Sequence, residues 1–310
     1  MSALKRRTPP NCKMTLKYTI ADFLLHIETP EAESTRRLLP TFEPFTAPGT
    51  TAGEPLFTFS GEMPAPQAQE LPLLKDTVDW NSFIYRFYPT DNGELWVEMV
   101  HNERTAWLWA SADNTVFLTS VSVTAPENRL FLNNCIVMSF GIASARHKAL
   151  KMHASVTELN GEALLFMGVS GTGKSTHSRL WHQYVPGSTL LNDDEPIVRI
   201  FPGGEVRVYG APWSGKTPCY RNEWAHVAAF VHLHQAPHNQ LTQEKALQAI
   251  NSMIISVGVL RSDKKNKQQI LDNIIEVLNL VPLYRLDCLP DKGAVELTYN
   301  LLKSLTEAKE

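Results

Sequence analysis

The chain has few cysteines and no long apolar run, and both absences limit its class. Its four cysteines, Cys12, Cys135, Cys219 and Cys288, are scattered and form no CxxC pair. This spacing argues against a disulfide framework or a cysteine-based zinc site and fits reduced thiols in a cytoplasm. The longest apolar runs, such as 163–169, are far shorter than the roughly 20 residues of a membrane helix. We therefore expect a cytoplasmic protein that is not embedded in a membrane.

Strong charge of either sign is also lacking. The formal net charge is −3, with 43% hydrophobic and 20% charged residues among the 310, which is typical of a soluble globular protein. This balance gives no electrostatic reason to expect nucleic acid or an anionic membrane as a partner. The basic start of the chain, residues 1–10, has no apolar stretch behind it and predicts a frayed tail rather than a signal peptide.

Two domains are predicted from the distribution of residue types. The segment 47–70 is rich in Pro, Gly, Ala and Thr and predicts loops. Between 79 and 124, short aromatic and β-branched runs are separated by turn residues, which predicts sequential antiparallel strands. The residue pattern at 130–149 is typical of a helix, which we expect to link the first domain to the second. We expect a β-rich N-terminal domain of unknown role over 1–130 and a second domain over 131–310.

In the second domain, patterns typical of strands and helices alternate. Strands are predicted at VTEL, ALLFM, STLL, EVRVY, HVAAFVHLH and PLYRL, and helices at 241–260, 265–280 and 293–305. This order favours an α/β (α+β) fold with a mixed, largely two-sided sheet.

The pattern G-x-x-x-x-G-K-[ST] occurs twice, and its first copy is GVSGTGKS at 168–175. A phosphate loop needs a strand before it, small residues within it and a helix after it, because backbone N–H groups and a helix N-terminus together bind the anion. This copy meets all three requirements. It predicts nucleotide binding by Gly168, Ser170, Gly171, Thr172, Gly173, Lys174, Ser175 and Thr176.

The second copy, GAPWSGKT at 210–217, follows a predicted strand but is a poor phosphate loop. Pro212 has no N–H to donate, and Trp213 is too bulky for a tight anion nest. Two interpretations stay open. The segment is a structured turn with Trp213 packed and Lys216 in solvent, or Lys216 approaches the acceptor or the transferred phosphoryl group, where its charge would assist catalysis.

Acidic residues follow the first loop at TLLNDDEP. Only about one helix fits between Ser175 and Asp193, so a strand ending in Asp193 and Asp194 would bring carboxylates beside the loop. Successive strand residues face opposite ways, so only one of the two should point straight at the metal and phosphates unless the strand has ended. We expect Mg²⁺ to be held by Ser175, Asp193 and Asp194; the alternative is a solvated acidic turn.

A hairpin is predicted just before the loop. Asn160-Gly161 between two apolar runs is a strong signal for a two-residue turn. Pairing outward from Leu159 and Glu162, each pair of residue numbers sums to 321, which brings His153 opposite Gly168. His153 is then either a structural histidine or a phosphate-facing or acid–base group.

Other histidines carry a weaker signal. His232, His234 and His238 alternate along a predicted strand in a way that imitates a metal site. No cysteine or acidic residue lies close in sequence to complete one, so the sequence favours ordinary histidines here.

The combination of H-A-S, a hairpin, G-x-S-G-T-G-K-S and an apolar strand ending in Asp-Asp resembles the C-terminal kinase domain of HPr kinase/phosphorylase. It also resembles the related fold of ATP-dependent phosphoenolpyruvate carboxykinase. The usable motifs cover 150–220 and extend more loosely to the C-terminus. The resemblance implies a phosphate-loop kinase core with a mixed sheet.

In that family the loop lysine and the following hydroxyl bind phosphates and Mg²⁺, which implies these roles for Lys174 and Ser175. The resemblance also implies an active-site role for His153, metal support by Asp193 and a general-base role for Asp194. A family glutamate in the motif E-I-R-G-x-G binds metal. The nearest register here has Arg207 in its place.

The resemblance implies a kinase that uses ATP, or another nucleoside triphosphate, and Mg²⁺ to phosphorylate a hydroxyl group. The acceptor is a serine of a protein or peptide, or a small molecule. Two alternatives stay open: a lyase of the carboxykinase type and a non-catalytic nucleotide sensor. The oligomeric state is open as well, with a homo-oligomer among the options.

Overall fold

A computed structural model describes residues 14–80, 82–215, 217–257 and 263–308. The chain divides into two compact units: the first comprises residues up to Ser144 together with Asp263 and Lys264, and the second comprises the other described residues from Ala145 onward. The predicted domain boundary at 130/131 falls inside a helix, Arg129–Ser144, that belongs to the first unit. The predicted tail at 1–10 and Cys12 lie outside the described residues.

The first unit is built on one mixed sheet. Its strands are β1 (Met14–Ile20), β2 (Phe23–Thr29), β3 (Phe57–Ser60), β4 (Asp76–Trp80), β5 (Phe83–Pro89), β6 (Leu95–His101), β7 (Arg104–Ala110) and β8 (Val116–Thr119). They lie in the order β1-β2-β3-β8-β7-β6-β5-β4, and β3 is parallel to both of its neighbours. Its helices are α1 (Ala32–Leu38) and α2 (Arg129–Ser144), with short 3-10 helices at Pro40–Phe45, Ala68–Glu70 and Pro126–Asn128.

The period-2 pattern of the strands explains this sheet. In β2 the alternate residues Phe23, Leu25 and Ile27 are buried, and β5, β6 and β7 alternate in the same way. The apolar face of α2 packs on the same core, where Phe140 meets Phe23 edge to face. The strands predicted within 79–124 are confirmed, whereas β1, β2 and the strand β3 inside the predicted loop segment were not foreseen.

The second unit contains the remaining elements in one larger mixed sheet. Its strands are β9 (Ala149–Lys151), β10 (Ala154–Leu159), β11 (Glu162–Met167), β12 (Thr189–Asp194), β13 (Ile197–Ile200), β14 (Val206–Tyr209), β15 (Trp224–Gln235), β16 (Gln240–Gln243) and β17 (Leu283–Cys288). Its helices are α3 (Lys174–Tyr184), α4 (Ala246–Ser256), α5 (Lys264–Leu280) and α6 (Lys292–Glu307), with a 3-10 helix at Ala145–His147.

Strand β15 is the centre of this sheet. It runs parallel to β11 on one side and to β17 on the other, while its first residues pair with β14. The main order is β12-β10-β11-β15-β14-β13-β9, and β16 joins the edge through β17. The predicted hairpin is confirmed: Leu159 pairs with Glu162 and Ala154 with Met167, with Asn160 and Gly161 at positive φ in the turn.

Helices cover both faces of the second sheet, which confirms the two-sided α/β arrangement. On one face Leu165, Met167 and Phe230 pack against residues of α4 and α5. On the other face Phe166 and Val231 pack against α3 and α6. In the described ranges, no helix is long and apolar enough to cross a membrane.

Three short strands of the second unit were not predicted from the sequence. These are β9, β13 and β16, each only three or four residues long. The predicted helix at 241–260 begins later, at Ala246, because Gln240–Gln243 pairs with β17 instead. The helices predicted at 265–280 and 293–305 are confirmed within a few residues.

Candidate functional site

The first glycine-lysine loop joins the end of β11 to the start of α3. Gly168, Gly171 and Gly173 have φ values of 144°, 87° and 106°, a backbone region that side chains rarely allow. A Cβ on Gly168 would lie 2.7 Å from Thr172 Oγ1, so glycine is required there for packing as well. The strand, glycine loop and helix N-terminus form the arrangement that binds phosphate anions in other proteins.

Lys174 is the first residue of α3, and only 8% of it is exposed. Its Nζ donates hydrogen bonds to the carbonyl oxygens of Gly168 at 2.8 Å and Val169 at 3.2 Å. Burial lowers the pKa of Lys174, while the charges of Asp194 and Asp193 act in the opposite direction. The ammonium group is therefore held over the loop and within electrostatic reach of both carboxylates.

The remaining predicted nucleotide-binding residues lie on the accessible side of the loop. Ser170, Gly171 and Ser175 are exposed, and Thr176 is half-buried in the first turn of α3. Thr172 Oγ1 donates to the Val169 carbonyl at 2.9 Å, which closes the loop on itself. A ligand approaching the start of α3 would therefore meet exposed loop residues.

Asp193 lies beside the hydroxyl of Ser175. Strand β12 is antiparallel to β10, so Asp193 pairs with Ser155 and Asp194 with Ala154. Ser175 Oγ donates to Asp193 Oδ1 at 2.8 Å. Asp193 is only 3% exposed, and its buried Oδ2 has no hydrogen-bond partner among the described residues.

A buried carboxylate oxygen without a partner costs free energy unless something satisfies it. A magnesium ion takes oxygen ligands from one or two carboxylates and from hydroxyl groups near bound phosphates. Asp193 Oδ2 and Ser175 Oγ therefore fit a Mg²⁺ site beside the loop.

Asp194 faces a different group. Its Oδ1 lies 3.2 Å from His153 Nε2, and both side chains are partly exposed. The backbone φ of Asp194 is 142°, a strained value for a residue with a side chain. Such strain persists only where surrounding structure imposes it, and it is concentrated at functional sites. The expectation that the two aspartates point in different directions matches this arrangement.

His153 reaches Asp194 from the residue before β10. The β10–β11 ladder ends at Ala154 and Met167, so His153 and Gly168 follow the last pair rather than forming one. The His153 amide donates to the Ser256 carbonyl at 2.6 Å, which fixes the chain at this point. His153, Asp194, Asp193, Ser175 and Lys174 are thus linked through direct contacts or electrostatic interactions.

The second glycine-lysine loop packs behind the acidic pair. Asn192 Nδ2 donates to the carbonyls of Ala211 at 3.4 Å and Trp213 at 3.0 Å. Ser214 forms an isolated β-bridge with Asp194, and the Gly215 amide donates to the Asp193 carbonyl. Trp213 is buried, and no helix follows at 217–223.

These contacts support the structured-turn interpretation for the backbone of the second loop. The second loop contacts the end of β12 and so holds the strained Asp194 in place. Lys216, the other candidate catalytic residue, lies outside the described residues.

No protein-family model matches this chain, and no curated protein matches it significantly. Functional inference therefore depends on the geometry of the loop and the acidic pair.

Arg207, which stands where the family's motif has a glutamate, makes structural contacts instead. Its guanidinium forms two hydrogen bonds with Glu205 and lies 4.0 Å from the centre of the Trp224 ring. In a cation–π contact of this kind the guanidinium is attracted to the face of the ring. Arg207 is therefore not a replacement for a metal ligand.

His177 lies on the buried face of α3, next to the loop. It is 3% exposed, packs edge to face on Phe166, and lies 3.4 Å from Thr298 Oγ1. Burial lowers its pKa from 6.5 to about 4. The imidazole ring of His177 is therefore neutral in the folded protein at neutral pH.

This pKa predicts a specific loss of stability in acid. A histidine whose pKa is lowered by folding contributes stability above its unfolded pKa of 6.5, and this contribution is lost as pH falls toward 4. Between about pH 7 and pH 5 we expect His177 to cost the protein about 2 kcal/mol of unfolding free energy. The variant His177→Phe should lack this part of the pH dependence in urea unfolding. An identical pH slope in both proteins would contradict the assignment.

Proposed function

We propose that this chain is an ATP- and Mg²⁺-dependent kinase, similar to HPr kinase/phosphorylase, that transfers the γ-phosphoryl group to a hydroxyl acceptor. The observation that carries the proposal is the hydrogen bond between Ser175 Oγ and Asp193 Oδ1, made at the first turn of a glycine loop helix. A lysine, a hydroxyl and a carboxylate at such a loop are the groups that phosphoryl transfer requires.

In this proposal, loop amides and the N-terminus of α3 hold the triphosphate. Lys174 would exchange its hydrogen bonds to the loop carbonyls for contacts with the outer phosphates, whose charge its ammonium group would neutralise. Ser175 and Asp193 would hold Mg²⁺, which supplies positive charge that stabilises the transferring group. Ser175 lies in the first turn of α3 and Asp193 on β12, and the hydrogen bond between them brings both side chains within reach of one ion.

Asp194 is the proposed general base. It is more exposed than Asp193, and its Oδ1 contacts His153 rather than Ser175. It would accept the proton from the acceptor hydroxyl as the oxygen attacks phosphorus. His153 would orient this carboxylate. The acceptor is a serine of a protein or peptide, or a small hydroxyl compound.

The test is transfer of label from γ-labelled ATP in a fractionated lysate. The kinase predicts Mg²⁺-dependent label in one macromolecular or small-molecule fraction, and none when the metal is chelated. ATP consumption with release of CO₂ only when oxaloacetate is added would instead establish the lyase. Tight ATP binding without turnover in every fraction would establish the sensor and reject the proposal.

A further inference from the structure

Two histidines and a glutamate lie close together where β15, β17 and β16 are neighbours in the second sheet. His232 and His234 lie two residues apart near the end of β15, so their side chains share one face. Glu244 follows β16, and its amide donates to the Leu283 carbonyl of β17 at 2.9 Å. Since β17 lies between β15 and β16, the sheet brings Glu244 to the histidines from across one strand.

The distances within this group are short. His234 Nε2 lies 3.3 Å from His232 Nδ1, and His232 Nδ1 lies 3.5 Å from Glu244 Oε1. Their three ligand atoms all lie within 4.8 Å of one another. A tetrahedral zinc ion with bonds of about 2.0–2.1 Å separates its ligand atoms by about 3.3 Å. The observed spacings therefore suit three ligands of one such ion.

We propose that His232, His234 and Glu244 form a binding site for a first-row transition-metal ion of the zinc type. Two imidazoles and one carboxylate are a ligand set that zinc accepts, with a fourth position left for water or another ligand. Calcium and magnesium bind oxygen ligands in preference to imidazole. The chemistry of the ligands thus separates this site from the Mg²⁺ site proposed at Ser175 and Asp193.

The surroundings favour metal binding. His232 is buried and Glu244 nearly so, which shields both from competition with water. Ser252 Oγ donates to Glu244 Oε2 at 2.8 Å, so the second carboxylate oxygen is held while Oε1 faces His232. Such supporting hydrogen bonds orient the ligands of metal sites.

A positive charge, that of Arg285, lies near the two histidines. Its guanidinium is paired with Asp287 by hydrogen bonds of 2.7 to 3.1 Å, which offsets its repulsion of a cation.

The site neighbours the phosphate loop but is separate from it. His232 pairs across the sheet with Met167, the residue before Gly168. Gln235, at the end of the same strand, donates from Nε2 to the Gly171 carbonyl at 3.2 Å. The acidic pair lies on β12, on the opposite side of β11. The proposed zinc ligands are therefore different residues from those proposed to bind phosphate and Mg²⁺.

The test uses the full chain, stripped of metal with a chelator and dialysed against buffered Zn²⁺. We expect one zinc ion per chain. His234→Ala and Glu244→Gln should each weaken its binding by at least about tenfold. His238→Ala removes a histidine from the same segment outside the cluster and should bind normally. Asp194→Asn should also bind normally, which distinguishes this site from the one at the phosphate loop.

Unchanged zinc affinity in both His234→Ala and Glu244→Gln would overturn the proposal, as would the absence of zinc binding by the unaltered chain. If either variant fails to fold, the unaltered chain loaded with Co²⁺ decides. Visible d–d absorption of a tetrahedral ion, together with a higher melting temperature in Zn²⁺ than in chelator, is expected. A spectrum identical to that of aqueous Co²⁺ would reject the site.

Discussion

Replacing Asp194 with asparagine is expected to lower the rate of phosphoryl transfer about 1,000-fold. The amide keeps the size and shape of the side chain but cannot accept the proton from the acceptor hydroxyl. In the proposed mechanism the loop and Lys174 hold the triphosphate, so the affinity for ATP should stay close to that of the unaltered chain. The variant thus separates the chemical step from nucleotide binding.

The measurement is a single-turnover transfer assay alongside equilibrium binding of ATP. The control is Asp272→Asn, the same change on the exposed surface of α5, where Asp272 accepts a hydrogen bond from Gln268. This control should retain full activity. Transfer at the normal rate in Asp194→Asn would exclude a base role for this carboxylate. Loss of ATP binding in parallel would show that Asp194 serves the nucleotide instead.

Local signals in the sequence predicted the hairpin and the loop well. The Asn160-Gly161 turn fixes its own register, because both residues adopt positive φ and a one-residue slip would turn the buried residues of β10 outward. The glycines of 168–173 carry their own conformational requirement. Where a short segment determines its own geometry, its structure can be predicted from its sequence.

Contacts between distant segments were not predictable in this way. Strands β9 and β13 are too short to show a period; β9 forms by pairing with β13, and β13 pairs with both β9 and β14. Glu244 becomes a neighbour of His232 only through the register of β16 on β17 and of β17 on β15. Proximity along the sequence therefore did not reveal Glu244 as an acidic partner of the histidines.

The two copies of the glycine-lysine motif have different structures although their sequence pattern is the same. In the first copy, Gly168 allows a positive φ and a close approach to Thr172. In the second, Gly210 allows two backbone segments to cross: a Cβ there would lie 2.0 Å from the Arg221 carbonyl oxygen and 3.1 Å from that of Leu191. Glycine permits a positive-φ loop in the first copy and a chain crossing in the second.

Gly210→Ala is therefore expected to destabilise the second unit by about 3 kcal/mol or more. The clash is with backbone atoms, which cannot move aside as a flexible side chain can. Arg221 also donates to the Leu190 carbonyl and to Thr189 Oγ1, both at 2.9 Å, so displacing it would disturb β12. Urea unfolding should show the loss of stability, and phosphoryl transfer should fall because β12 carries Asp193 and Asp194.

A matched substitution, Gly49→Ala, separates this steric effect from the general effect of replacing glycine. A Cβ on Gly49 would meet no atom within 4 Å. Its alanine variant should unfold at the same urea concentration as the unaltered chain or slightly higher, because alanine restricts the unfolded chain. If Gly210→Ala also unfolds normally, the crossing at Arg221 is looser than these distances require. The second loop would then not be what holds the acidic pair in place.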